Sequence, residues 1–473
     1  MVFTVILALV MSLFCVACDF KNPFNSEESN NSGNTDNSGN TDNSGNTDNS
    51  GNTGNSGNTD NSGNTDNSGN TDNSGNSGNS GNTDNSGNSG NNDNSGNNDN
   101  SGNSGNSGNS GNSGNTDTTP GSKGDAVTGA VEEIADAKFS IHFLELGSKY
   151  AGDCTLIKCG NTEVLIDAGS REESAVTLKA YIDQYCTDGV LEYVIATHAH
   201  QDHIAGFVGK SSGSTYTGLL YQYKVGTIIQ FGGHNATSDI YKNYCTAVQY
   251  AESQGATAYT ATQCWNETDG AKKQYFLDED KTLSMNILYN YYYDHTSSDE
   301  NDYSVCMLLT NEEGDKTYNY LFTGDLEKAG ESRLVDNNKL PEVELFKGGH
   351  HGSYTASTDK LLNVIKPKAV AVCCCAFSPE YTTNPANTFP AQEFINRVAK
   401  HTDKIYVTSL ATGLADLVDG KFPNKTFGGF TSLNGNIVFY YSDEWKLYCS
   451  NNTTILKDTE WFQKYRVWPS DGV

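Results

Sequence analysis

The sequence predicts an α/β fold in four layers, two β-sheets face to face with helices outside each, preceded by a long segment that cannot build a core. Two observations carry this. After Lys138, strand runs open each half of the chain, and mixed strands and helices follow. That order favours an αββα sandwich over a doubly wound parallel sheet. From about Asn25 to Gly121 the chain is almost only Asn, Ser, Gly, Thr and Asp. Such a segment buries too little apolar surface to offset the entropy of ordering, so disorder is expected.

The elements follow in order. Phe139–Leu146 alternates apolar and polar residues as a strand does. Cys154–Lys158 and Glu163–Ile166 are short β-rich runs, and Glu172–Cys186 has helical spacing. Leu191–Ala196 is a strand that runs straight into a histidine cluster. Strands are expected at Thr227–Gln230 and Leu283–Tyr289, with a helix at Ser238–Gln254 between them. Tyr303–Leu309 and Thr317–Phe322 form a hairpin across Asn311–Asp315. A helix near Leu326–Val335, a strand near Val343–Phe346 and a helix near Thr358–Ile365 come next. The strand Ala369–Ala376, the helix Pro390–Lys400 and the strands Lys404–Thr408 and Asn436–Tyr441 close the pattern.

The N-terminus reads as an export signal. Val2–Val16 is an apolar run too short for a comfortable membrane span, and it ends in Cys15-Val16-Ala17-Cys18. This resembles a bacterial lipobox, which implies that Cys18 carries a lipid holding the protein on the outer face of a cell membrane. The expected division is a signal at 1–18, a disordered linker at 19–122, a folded domain at 138–445 and an extension at 446–473. The linker repeats Asn-Thr-Asp-Asn-Ser-Gly with no hydrophobic residue per repeat, so it is read as a solvated tether rather than a calcium-binding roll. Thirteen of the 58 acids and one of the 30 bases lie before Gly121, which leaves the remainder at −16. That balance argues against a sequence-independent nucleic-acid binder. Cys373, Cys374 and Cys375 sit in an apolar strand pattern as small buried hydrophobes.

The chemistry concentrates in Thr197-His198-Ala199-His200-Gln201-Asp202-His203. Residues two apart in an extended segment share a side, so His198 and His200 reach one metal while Asp202 and His203 face a second. Imidazole and carboxylate suit zinc, and also manganese or iron.

This run resembles the first motif of the metallo-β-lactamase superfamily. Val164-Leu165-Ile166-Asp167-Ala168-Gly169 resembles the strand that ends in a ligand-orienting aspartate. Phe322-Thr323-Gly324-Asp325 resembles the Gly-Asp element whose carboxylate bridges two metals. Lys347-Gly348-Gly349-His350-His351-Gly352-Ser353 resembles the His-His-Gly-Ser element of one branch, which holds the domain fused to DNA-uptake channels of natural competence and the choline-phosphate esterases of cell surfaces. Phe143-Leu144-Glu145-Leu146-Gly147 with Gly152-Asp153, and Asn301-Asp302-Tyr303-Ser304, resemble that branch's opening and its Asn-x-x-Ser strand. Residues Ser148–Ala151 are inserted relative to the branch's compact opening and are expected to reshape one wall of the site. His234 and His295 lie where many members carry a further ligand, and His295 is the better candidate.

The resemblance implies two divalent ions, zinc first, held by His198, His200, Asp202, His203, Asp325 and His350. Asp202 orients the nucleophile and His351 donates a proton to the leaving group. Asp167 stands behind a ligand, and Asn301 and Ser353 support the site or touch substrate. A hydroxide held between the metals would attack phosphorus or a carbonyl. The expected substrate is a phosphodiester, either nucleic acid or a choline-phosphate-bearing polymer. The alternatives are a β-lactamase-like or thioester hydrolase, and a surface binding protein that keeps the fold.

Overall fold

A computed structural model describes residues 128–470. The Val2–Val16 run, Cys18 and the Asn/Ser/Gly repeat lie outside the described residues. Helix α1 (Thr128–Ala135) leads into β1 (Phe139–Phe143), β2 (Thr155–Cys159), β3 (Thr162–Ile166), α2 (Ser174–Ile182) and β4 (Val190–Ala196). Helix α3 (Gln201–Val208), the small hairpin β5 (Ser211–Ser212) and β6 (Thr215–Tyr216), α4 (Leu219–Gln222), β7 (Lys224–Gln230), α5 (Asp239–Ser253), β8 (Thr257–Thr260) and α6 (Ala261–Asn266) follow. The second half supplies β9 (Gln274–Phe276), β10 (Leu283–Ile287), β11 (Met307–Glu313), β12 (Lys316–Phe322), α7 (Lys328–Asn337) and β13 (Leu345–Lys347). It continues through α8 (Asp359–Ile365), β14 (Ala369–Ala376), α9 (Gln392–Val398), β15 (Ile405–Thr412) and β16 (Gly429–Ser432). The chain ends with β17 (Ile437–Tyr441), β18 (Trp445–Cys449) and α10 (Glu460–Tyr465).

Two eight-stranded sheets result, in the orders β18-β17-β1-β2-β3-β4-β7-β8 and β16-β15-β14-β13-β12-β11-β10-β9. The four-layer α/β architecture expected from the sequence is the one observed. Side-chain alternation explains the layering. On β12, Tyr320 and Phe322 join the core between the sheets, while Leu321 points outward to a second core. On β14, Ala369, Ala371 and Cys373 face inward, and Val370, Val372 and Cys374 face outward against α8 and α9 through Leu361, Leu362, Phe394 and Ile395. All of β14 is buried, which accounts for its unbroken apolar run. Cys373, Cys374 and Cys375 are buried free thiols, as are Cys154, Cys159 and Cys306. No helix among the described residues is long and apolar enough to cross a membrane.

Three sequence expectations are corrected. The strand expected from Tyr303 starts at Met307, because Glu300–Tyr303 forms a 3-10 turn capped by the Asp299 carboxylate. The Asn301–Ser304 stretch is therefore a turn and the approach to a strand. The strand expected over Leu283–Tyr289 ends at Ile287, and Tyr291–Tyr293 form a second 3-10 turn capped by Asn290. The folded unit also runs past both ends of 138–445. Ile134 of α1 is buried in the main core. Strand β18 pairs along the whole of β17, and Trp461 and Phe462 of α10 fill the outer core of the second sheet. The short, half-buried β18 follows the polar Ser442-Asp443-Glu444 and carries little periodic signal.

Strand polarity positions the site. Parallel strands β3 and β4 in one sheet, and β12, β13 and β14 in the other, end at the same rim. Loops leaving the carboxyl ends of parallel strands are where α/β folds gather functional groups.

Candidate metal centre

Asp325 is the hub. It follows β12 at a turn where Gly324 takes φ 53°, and its backbone N–H donates to Ser304 Oγ at 3.1 Å. A side chain on Gly324 would crowd Ser304 Oγ at 2.8 Å, so glycine is required there for both conformation and space. Asp325 Oδ2 is approached by three imidazole Nε2 atoms: His203 at 3.1 Å, His351 at 3.2 Å and His350 at 3.8 Å. Asp202 Oδ2 lies 3.5 Å from the same His351 nitrogen.

The motif after β4 divides as its spacing suggests. His198 Nε2 and His200 Nδ1 face each other at 3.0 Å. Asp202 and His203 open α3 and turn toward Asp325. The loop that receives them is tight, because a Cβ on Gly169 would sit 1.5 Å from the Asp202 carbonyl oxygen.

Each imidazole is also held from behind. His203 Nδ1 meets Asp167 Oδ2 at 2.8 Å, and Asp167 is itself fixed by the Thr197 N–H and hydroxyl, both donating at 2.8 Å. His198 Nδ1 lies 3.1 Å from Thr197 Oγ1. His351 Nδ1 lies 3.0 Å from the Cys373 carbonyl and 3.2 Å from Asp153 Oδ1. His350 Nδ1 lies 3.1 Å from Glu327. Carbonyl or carboxylate partners behind one ring nitrogen, with the other facing a common point, are what metal-ligating histidines show. His350 and His351 reach these positions with φ of 46° and 53°, a left-handed conformation that non-glycine residues adopt at a cost of about 1–3 kcal/mol each.

The electrostatics follow from burial and proximity. Burial opposes the charged form of His203 and His351, but Asp325, with Asp167 behind one and Asp153 behind the other, holds both well above the ordinary imidazole range. Burial, reinforced by neighbouring His203, pushes His198 well below it. Asp325 is buried and Asp202 mostly so, which alone would raise them, yet the surrounding imidazoles hold both below the usual carboxylate range. Lys347 is buried between Asp153, with which it forms an ion pair, and Asp325 Oδ1 at 3.8 Å, and these carboxylates keep its ammonium charged against burial.

This donor set fits divalent metal. Ligand-capable atoms of Asp153, His203, Asp325 and His351 lie within 4.8 Å of one another, all four residues buried. Asp325 Oδ1 and His351 Nε2 are buried without a hydrogen-bond partner. Unpaired buried groups of this kind are costly unless something compensates them, and a cation held here would do so. His203, Asp325 and His351 could hold a metal ion, with Asp202 beside His351 and with His198 and His200 in the same motif.

The sequence-predicted residues fare unequally. His198, His200, Asp202, His203 and Asp325 come together, and Asp167 stands behind His203. The roles of the histidine pair exchange. His351 is buried and meets both Asp325 and Asp202, whereas His350 is one fifth exposed and its nearest approach to Asp325 is 3.8 Å. Ser353 turns its hydroxyl to Thr355 at 2.8 Å, and Thr358 caps α8, so Ser353 is a turn residue. The Asn301 side-chain oxygen is buried in its turn without a partner. His234 bonds the Tyr241 hydroxyl at 2.8 Å, and His295 bonds the Tyr291 carbonyl at 2.9 Å and stacks on that ring, so neither completes the cluster.

Asp153, Lys347 and Glu327 were not assigned roles from sequence. Asp153 and Lys347 each stood inside a quoted motif, and Glu327 lies two residues beyond Asp325.

The rim is aromatic and largely charge-compensated. Phe389 lies 5.8 Å from His350 and 5.7 Å from His351 between ring centroids. The Ser148–Ala151 stretch lies on one side of the rim, where the Ala151 N–H donates to Glu380. Tyr150 stacks under the Arg171 guanidinium at 4.0 Å, and Lys149 donates to the Phe427 carbonyl at 2.7 Å. Arg171 is itself paired with Glu380 at 3.0 Å.

Comparison with known proteins agrees on the class of site. Residues 148–209 match the metallo-beta-lactamase superfamily model, a stretch that includes Asp153, Asp167 and the whole His198–His203 run. No curated protein matches the chain. Among solved structures the chain is similar to MEM-A1, a subclass B3 metallo-beta-lactamase from a soil metagenome library, at 13% identity over 45% of this chain and 78% of that one, TM-score 0.28. It is similar to BJP-1, a subclass B3 enzyme of Bradyrhizobium japonicum, at 14% over 44% and 73%, TM-score 0.27. A Cronobacter sakazakii metallo-beta-lactamase with a HARLDQ motif stands at 14% over 46% and 80%, TM-score 0.26. Likenesses this distant carry no argument about chemistry, which rests on the geometry above.

Proposed function

We propose that the protein is a metal-dependent phosphodiesterase with a two-ion site, acting outside a membrane on a phosphodiester that carries a small cationic group, of which choline phosphate on a surface polymer is the type. One observation carries the reading: three imidazole nitrogens converge on Asp325 Oδ2, with carboxylate or carbonyl partners holding their rings from behind. Divalent ions held there would polarise the scissile group and ease deprotonation of the attacking water. Asp202 and Asp325 orient that water through their carboxylates. His350 Nε2, partly open to solvent and backed by Glu327, holds a proton for the leaving oxygen.

The rim supports the choice of substrate. Phe389 and Tyr381 offer aromatic faces, which attract quaternary ammonium groups. The nearby cations Arg171 and Lys149 are engaged with Glu380 and the Phe427 carbonyl, so the rim lacks the free basic groove that tracks a nucleic-acid backbone. The position outside a membrane rests on the Val2–Val16 run and Cys18 alone. The test is a substrate panel with and without chelator: p-nitrophenyl phosphorylcholine, bis-p-nitrophenyl phosphate, DNA, RNA and nitrocefin. The phosphorylcholine ester should be cleaved fastest, and only in the presence of metal. Preferred cleavage of DNA or RNA would overturn the substrate reading, and nitrocefin hydrolysis alone would overturn the reaction class.

A further inference from the structure

The segment between β14 and α9, residues 377–391, crosses the mouth of the site, and it is anchored at three places. Phe377 donates its N–H to the Phe389 carbonyl at 2.8 Å, closing the segment on itself. Ala391 donates to the Gly352 carbonyl at 2.8 Å, tying it to the histidine-pair turn. Glu380 accepts from the Ala151 N–H at 3.0 Å and from Arg171 at 3.0 Å, tying it to the opposite wall. Between these anchors the Tyr381 hydroxyl donates to Asp202 Oδ2 at 2.9 Å. The Tyr381 ring packs on Phe389 at 5.4 Å and is 48% exposed on its outer side.

We infer that Tyr381 is a positioning residue for the metal centre, fixing the Asp202 carboxylate through its hydroxyl while its exposed ring face meets the substrate. Asp202 Oδ2 stands between the Tyr381 hydroxyl at 2.9 Å and His351 Nε2 at 3.5 Å. The carboxylate oxygen that faces the cluster is thereby held from the rim. Asp167 and Asp153 do the same work for His203 and His351 from the protein interior. Tyr381 does it from solvent, on a loop that substrate must pass. Removing partners of this kind weakens metal binding about 10–100-fold.

This inference rests on the two-ion reading above, and its test separates the two. Zinc affinity is measured by competition with a chromogenic chelator on the full chain, for wild type, Tyr381→Phe and Tyr381→Leu, with circular dichroism as the check on folding. Tyr381→Phe, which keeps the ring, should bind zinc about 10–100-fold more weakly at one of its two sites. Tyr381→Leu should match it in zinc affinity and in addition raise KM for the phosphorylcholine ester. Wild-type zinc affinity in Tyr381→Phe would overturn the inference while leaving the metal site intact. A wild-type protein that takes up no zinc would overturn the underlying reading instead.

Discussion

Removing one acceptor changes everything around Asp325, because His203, His351 and His350 all aim at the same carboxylate oxygen. The residues behind them are second in rank. Asp167→Asn and Asp153→Asn should each lower zinc affinity or turnover about 10–100-fold. Losing a ligand should cost more than losing its partner, so Asp202→Asn and His203→Ala should abolish metal-dependent turnover. Steady-state rates on a chromogenic phosphodiester check both, and Asp153→Asn at wild-type level would remove Asp153 from the account. His142 offers a separate test away from the site. It is fully buried, bonded to Ser140 and Tyr181, and burial pushes its pKa down to about 3. Its folded value lies below its unfolded one, so its stabilising effect is full above about pH 6.5 and is lost as pH falls toward 3, at roughly 1.4 kcal/mol per pH unit. Denaturant unfolding at pH 7, 5.5 and 4.5 should show a shallower acid loss in His142→Gln than in wild type, and identical slopes would contradict this.

The elements were legible wherever burial wrote a period into the sequence. Strand β14 reads as an unbroken apolar run, and α5 as a capped helix from Ser238, because both faces of the one and one face of the other are packed. The elements that escaped notice were short or set by local capping, such as the turn at Glu300–Tyr303 and the edge strand β18. The site divided in the same way. The three histidines and one aspartate clustered within six residues were plain, as was the Gly-Asp turn. The choice between His350 and His351 depends on two successive left-handed residues, and Tyr381 reaches Asp202 only through the path of a loop; neither leaves a mark in residue spacing. The C-terminal correction is itself testable. Deleting residues 445–473 strips an edge strand and the buried Leu456, Trp461 and Phe462. At about 1.5–3 kcal/mol for each buried side chain, the loss should reach about 5 kcal/mol or more. Thermal unfolding of the truncated protein should fall well below wild type, and an unchanged midpoint would restore 446–473 as an appendage.

Across the whole molecule, two sheets that bury one core between them also bring the ends of their parallel strands to one rim, and the metal centre sits where those ends meet. Asp167 and the His198–His203 run come from the first sheet, and Asp325 and the histidine pair from the second. The centre is therefore incomplete in either half. Any ion bound there ties the sheets together and should stabilise the fold by about 2.7 kcal/mol at a hundred times its dissociation constant. The most direct test of the central claim is a zinc titration of chelator-stripped protein, reading turnover of p-nitrophenyl phosphorylcholine. Activity should be absent at the start and rise to a plateau near two zinc ions per chain. Full turnover in the stripped protein, before any zinc is added, would contradict the account.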